Sequence, residues 1–215
     1  MSSLWSIKML FLICLLAIPG VSALVGCSSR ERAQETKQAK VVVLPAREGE
    51  VFTDVRGGTF HLPGPGESKA IVLIFIYHDC PISNGYVPEI ARLSQEFSPK
   101  GIAFCAVYAD PGLSEDNARR HTAEYDFHCA TILDPTLILA RRTGATMTPE
   151  AAVLSPSGEL LYRGRIDDRY FDYGKQRSQP THRELRDALA AYVEGRPIAV
   201  ARTKAFGCSI FVETN

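Results

Sequence analysis

Ile71-Val72-Leu73-Ile74-Phe75-Ile76-Tyr77-His78-Asp79-Cys80-Pro81-Ile82-Ser83 is the stretch around which this chain is organised. The uncharged run from Ile71 to Tyr77 has the composition of a strand buried on both faces. Pro81 suits the first turn of a helix, where its missing N–H costs no hydrogen bond. The chain therefore passes from strand to helix at Cys80. A thiol at that junction faces unpaired backbone N–H groups, which stabilise the thiolate. Asp79 acts in the opposite sense, because a nearby carboxylate disfavours a second negative charge. Ser83 cannot close a disulfide with Cys80, and reads as a helix cap, alone or with Asn84.

Outward from this junction, Val51–Val55 and Thr59–Leu62 alternate around Gly57-Gly58 as an N-terminal hairpin on a sheet edge. Tyr86, Val87, Ile90, Leu93 and Phe97 have helical spacing, closed by Pro99-Lys100-Gly101. Ile102–Tyr108 is a second buried strand, Glu115–Tyr125 a polar helix, Ala130–Leu133 a third strand, and Pro135–Arg142 a short helix. After Thr148-Pro149, two strands, Ala151–Leu154 and Leu160–Arg165, flank Ser155-Pro156-Ser157-Gly158, a hairpin turn. The last helix is expected over 181–194, with Leu185, Leu189, Ala190 and Val193 on one stripe. Strands first separated by helices and then joined directly imply an α/β fold with a parallel core and an antiparallel edge.

The Cys-Pro-Ile-Ser after an apolar strand, Gly144-Ala145-Thr146-Met147-Thr148-Pro149-Glu150 and Tyr162-Arg163-Gly164-Arg165-Ile166-Asp167-Asp168 resemble thioredoxin-like redoxin-domain proteins of the AhpC/TSA superfamily, over residues 45 to 210. The resemblance implies a central mixed sheet flanked by helices, with an N-terminal hairpin and a C-terminal tail. It also implies a cis Thr148–Pro149 bond lying against Cys80, where its backbone would pair with substrate. Pro81, Ser83, Thr148 and Pro149 are then the supports of an active site at Cys80.

Two departures narrow the chemistry. Peroxiredoxins carry Thr or Ser three residues before their reactive cysteine and Pro seven before it, where this chain has Tyr77 and Leu73, so peroxidase activity becomes an alternative rather than the main expectation. Thioredoxins have a second cysteine where this chain has Ser83, so a partner sulfur must come from elsewhere. Cys208 follows Gly207 in a tail beyond the last helix, and 195–207 could span about 40 Å if extended. Cys80–Cys208 is the expected redox pair, with Cys80 attacking and Cys208 resolving. The alternative is that Cys208 packs or pairs elsewhere.

Cys105 and Cys129 read as core residues. Arg165 at the strand end and the loop from Ile166 to Pro180, with Asp167, Asp168, Arg169, Tyr170, Phe171, Tyr173, Lys175 and Arg177, are expected as a rim that selects a partner, a solvated loop being the alternative. Sco-type copper proteins, which bind through two cysteines and a histidine, are a rival resemblance. Their Cys-x-x-x-Cys spacing is absent, and a redoxin scaffold without catalysis is a further alternative. The main expectation needs no cofactor and no metal.

Lys8 followed by Met9–Ile18 is too short to span a bilayer but fits the apolar core of a signal peptide, taken as 1–26. Leu24-Val25-Gly26-Cys27 resembles a bacterial lipobox, which implies lipidation at Cys27; ordinary secretory cleavage near Ser22 or Ala23 is the alternative. Residues 27–45 read as a polar tether and 46–215 as the folded domain. An exported, membrane-anchored lipoprotein of the cell envelope or periplasm is expected, an oxidising setting that permits disulfides. Lys and Arg number 24 against 24 Asp and Glu, so no basic surface argues for nucleic acid. Protein thiols or disulfides, or a small thiol, are the expected partners.

Overall fold

The computed structural model describes residues 51–62 and 66–210. The signal peptide, the tether and the lipidation site at Cys27 lie outside the described residues. A hairpin of β1 (Val51–Thr53) and β2 (Thr59–His61) leads to β3 (Ala70–Ile76), then to α1 (Pro81–Gly85) and α2 (Val87–Phe97). There follow β4 (Ile102–Tyr108), α3 (Glu115–Glu124), β5 (Ala130–Leu133), α4 (Ile138–Thr143), β6 (Met147–Thr148) and β7 (Glu150–Leu154). β8 (Leu160–Gly164), a small hairpin of β9 (Tyr170–Asp172) and β10 (Lys175–Gln176), α5 (Glu184–Val193) and β11 (Cys208–Ser209) complete the chain.

The central sheet has the order β5-β4-β3-β7-β8. β3, β4 and β5 are parallel, whereas β7 and β8 run antiparallel to their neighbours, the mixed arrangement expected from the sequence. Every residue of β3 is buried. The two-residue period of a strand explains why: Val72, Ile74 and Ile76 pack with Ile90, Leu93, Phe97, Leu185 and Leu189 on one face, while Leu73 and Phe75 pack with Val107, Leu139 and Ala140 on the other. The β1–β2 hairpin forms its own ladder and meets the edge strand β5 through Asp54 and Ile132, with Val55 N–H donating to Thr131 O.

Two helices begin later than their apolar patterns suggest, and in each case a buried carboxylate is the cause. Asp134 accepts from the N–H groups of Ile138, Leu139 and Ala140, so α4 starts at Ile138 rather than at Pro135. Asp168 accepts from the N–H groups of Thr181 and His182 and from the Thr181 hydroxyl, holding those residues in a turn, and α5 starts at Glu184. Burial raises the Asp168 carboxyl, but these donors and Arg177 outweigh it and bring the group down to about 2.

A carboxylate depressed in the folded state contributes stability above its unfolded value of about 3.9 and loses it as pH falls through the folded value. Asp168→Asn is therefore expected to destabilise the protein by about 1–3 kcal/mol at pH 6 in urea unfolding. The difference from the unsubstituted chain should shrink as pH falls from about 4 toward about 2. A difference that does not change over that interval contradicts the assignment.

Candidate active site

Cys80 is the N-cap of α1 with Pro81 in the first turn, as the strand-to-helix junction predicts. The side chain is wholly buried, at 0% exposure. Its thiol donates to the carbonyl oxygen of Thr148 at 3.5 Å, and the Thr148–Pro149 bond beside it is cis. Ser83 does not cap the helix: α1 has no side-chain cap, and the Ser83 hydroxyl is buried with no well-aligned partner. Burial raises the Cys80 thiol, but hydrogen bonding from Cys208, from the Ser83 hydroxyl, and from the N–H groups of Ser83 and Ile82 prevails, leaving Cys80 below its ordinary value.

Cys208 reaches this site from the far end of the chain. Beyond α5 the chain returns along the outer edge of β8: Arg163 N–H donates to Ala201 O, and Thr203 N–H donates to Arg163 O. Gly164 permits this approach, since a Cβ there would meet the Thr203 backbone. β11 then pairs antiparallel with β6, Cys208 opposite Thr148 and Ser209 opposite Met147. The Thr148 hydroxyl donates to Cys208 O at 3.3 Å, Ile210 N–H to Thr146 O at 2.8 Å, and the Tyr173 hydroxyl to Gly207 O at 3.2 Å. Tyr173 also packs its ring on Phe206, 5.0 Å between centroids, and Ile210 is buried in the lower core with Phe75.

The result is a pair of free thiols with Cys208 Sγ 2.6 Å from Cys80 Sγ. Two unbonded sulfurs are in close contact at this distance, which exceeds the ~2.05 Å of a disulfide. Cys208 is half-buried where Cys80 is closed off. Burial, and then the Cys80 sulfur beside it, raise the Cys208 thiol, so the two thiols shift in opposite directions, Cys80 down and Cys208 up.

Asp110 and Tyr108, to which the sequence reading gives no site role, join Tyr77, His78, Asn84 and His121 at this end of the sheet. His78 Nδ1 is 2.6 Å from Asp110 Oδ2, and His78 Nε2 is 3.1 Å from Asp79 Oδ1. Tyr77, three residues before Cys80, is held above its ordinary value by burial and by Asp110, Asp79 and Cys208. Asn84 donates to the His78 carbonyl at 3.0 Å and contacts His121 Nε2 at 3.1 Å; His121 Nδ1 lies 2.8 Å from the Tyr108 hydroxyl. This polar chain ties α3 to the loop that carries Cys80. Parallel register is the signal that could have found Asp110, because Ile76 opposite Tyr108 brings the residues just beyond both strands together.

The expected partner rim requires correction. Asp167 and Asp168 are buried, at 1% and 4% exposure, because both serve the fold. Asp167 accepts from the Tyr86 hydroxyl and Arg169 N–H, and Asp168 holds the turn before α5. Arg165 is paired with Glu184. The aromatics expected on that loop, Phe171 and Tyr173, are its exposed large apolar side chains, with Lys175 exposed beside them. Cys105 and Cys129 pack on opposite faces of the sheet, and burial pushes both thiols up. No group of three or more His, Cys, Asp or Glu among the described residues is arranged to hold a metal ion. Of the histidines near this end of the sheet, His78 faces two carboxylates and His121 faces Tyr108 and Asn84.

No family model matches the chain, and no curated protein matches it. Solved structures do. An uncharacterized conserved protein from Geobacillus kaustophilus is 28% identical, with a TM-score of 0.66 over 77% of this chain and 89% of that one. A hypothetical protein from Sinorhizobium meliloti 1021 is 23% identical, with a TM-score of 0.65 over 75% of this chain and 89% of that one. MTB dsbF, solved in mixed oxidized and reduced forms, is 20% identical, with a TM-score of 0.50 over 69% of this chain and 98% of that one. The fold is thioredoxin-like, an α/β architecture with a mixed five-stranded sheet.

Gly207 is the joint on which the site depends, since a Cβ there would be driven into the Thr148 carbonyl. Gly207→Ala is expected to lift β11 from β6 while leaving the core intact. Far-ultraviolet circular dichroism should be unchanged. The yield of a Cys80–Cys208 disulfide under mild oxidation should fall at least about tenfold, since sulfurs held beyond bonding geometry cannot join. Full disulfide yield in Gly207→Ala contradicts this role.

Proposed function

We propose that this protein is a thiol-disulfide oxidoreductase in which Cys80 and Cys208 alternate between two thiols and one disulfide. The observation that carries the proposal is the 2.6 Å separation of two sulfurs 128 residues apart in sequence. A core cysteine needs no such partner, and nothing in packing alone requires a tail glycine to admit a second sulfur to the first. The lowered thiol of Cys80 supports its role as the charged member of the reduced pair, and the raised thiol of Cys208 supports its role as the protonated one. MTB dsbF, of similar fold, is described in oxidized and reduced forms, which is in keeping with this chemistry.

Partners are protein thiols or disulfides, or a small thiol. The setting is the cell envelope, reached through the signal peptide at 1–26 and held by lipid on Cys27, with 27–45 as tether and 46–215 as the working domain. No helix among the described residues is long and apolar enough to cross a membrane, and the lipid on Cys27 is the anchor in this proposal. An oxidising compartment supplies the conditions under which a disulfide persists.

Reduction of insulin, or oxidation of a dithiol peptide, tests the activity. The full chain should turn over, and both Cys80→Ser and Cys208→Ser should lose at least about a hundredfold in rate, because each removes one half of the disulfide. A Cys80 that titrates near the free-cysteine value of about 8.5, together with no exchange in either assay, would make the protein a redoxin scaffold without catalysis.

A further inference from the structure

We infer that Cys208, rather than Cys80, is the sulfur at which outside thiols enter and leave, and that Cys80 works as the buried leaving group and resolving thiolate. This inference rests on the proposed redox pair and assigns the order of events within it. It reverses the order expected from the sequence, in which Cys80 attacks first.

The argument is one of access. Cys80 is closed on each side: α1 begins at it, Thr148 accepts its thiol, and Cys208 covers it. The strand edge beside Pro149, which the redoxin resemblance assigns to substrate backbone, is occupied by the chain's own β11. The tail there is held by a ladder, three further hydrogen bonds, the Tyr173–Phe206 contact and a buried Ile210. Of the two residues Cys80 is fully buried and Cys208 only partly so. Tyr173, an exposed aromatic of the neighbouring hairpin, holds the tail through Gly207 and Phe206, and Phe171 of the same hairpin is exposed as well.

Chemistry points the same way. In thiol-disulfide exchange the sulfur of lower pKa leaves faster, and the sulfur that can be reached is the one attacked. In the oxidised protein an incoming thiolate bonds to Cys208 Sγ, the Cys80–Cys208 bond breaks, and its electron pair stays on Cys80. The N–H groups of Ile82 and Ser83 and the Ser83 hydroxyl receive that charge. The second thiol of a dithiol partner then attacks the partner's own sulfur in the mixed disulfide and expels Cys208 as a thiolate, which takes up a proton. The partner has lost two electrons and gained a disulfide; the Cys80–Cys208 pair has gained them and become two thiols. In the opposite direction Cys80 thiolate attacks Cys208 in the mixed disulfide and releases the partner thiolate.

The test uses the oxidised full chain and a synthetic peptide with one cysteine. Samples quenched in acid during the first moments of reaction are digested without reduction, and the cysteine that carries the peptide is mapped. The peptide is expected on Cys208, in at least about tenfold excess over Cys80, with Cys80 free. In reduced Cys208→Ser, which keeps the backbone ladder to β6, Cys80 should resist a peptide-sized disulfide probe. Peptide mapped first to Cys80, or ready reaction of Cys80 in Cys208→Ser, overturns the inference and makes tail release the route of access, while the redox pair stands. Failure of the protein to form any Cys80–Cys208 bond before the peptide is added overturns the underlying pair instead.

Discussion

The site is made by two short strands. β11 contributes two residues to a ladder on β6, and that register, Cys208 opposite Thr148, brings a tail sulfur onto a buried thiol at the start of α1. Neither strand would persist alone, since an isolated two-stranded ladder of this length is marginal in water. Its persistence comes from the tail's run along β8, from Gly207 and Gly164 admitting close backbone approach, and from Tyr173 and Ile210 fixing the tail on either side of Cys208. Chain-closing entropy rises only slowly with loop length, so a remote sulfur is a workable substitute for a local one.

Substituting a distant sulfur for a neighbouring one changes what the helix start can do. In a Cys-x-x-Cys arrangement the second thiol shares the same helical turn, whereas Ser83 here leaves a hydroxyl in that turn that can serve the Cys80 charge without competing for the bond. The second sulfur arrives from the solvent side and is held by backbone pairing. Burial and acidity are thereby divided between the two residues, Cys208 only partly buried with its thiol raised and Cys80 fully buried with its thiol lowered. The polar chain from Tyr108 through His121 and Asn84 to the His78 carbonyl, and the His78–Asp110 pair, fix the loop from which Cys80 projects.

Much of this was legible in the chain. The uncharged run before Cys80 and Pro81 behind it give β3 and α1 by composition and backbone chemistry alone, and two-residue against helical periodicity gives the order of the remaining elements. The lack of a local partner, with the reach of the tail, led to Cys208. What was not legible is tertiary. Asp134 and Asp168 spend their oxygens on backbone N–H groups that periodicity assigns to helices, so both helix starts were placed three residues early. Asp167 and Asp168 look like a charged rim in sequence because nothing local reveals that Tyr86, Thr181 and His182 will bury them. Ser83 reads as a cap, whereas in the fold its hydroxyl is buried and caps nothing.

The central claim is that Cys80 and Cys208 form one redox couple. Equilibration of the full chain across a graded series of thiol-disulfide buffers, followed by alkylation and peptide mapping without reduction, measures it directly. The account predicts a single two-electron transition in which Cys80 and Cys208 are lost together to one linked peptide, with Cys105 and Cys129 alkylated only after unfolding. Cys80 remaining a free thiol, or pairing with a cysteine other than Cys208, at the oxidising end of the series would contradict it.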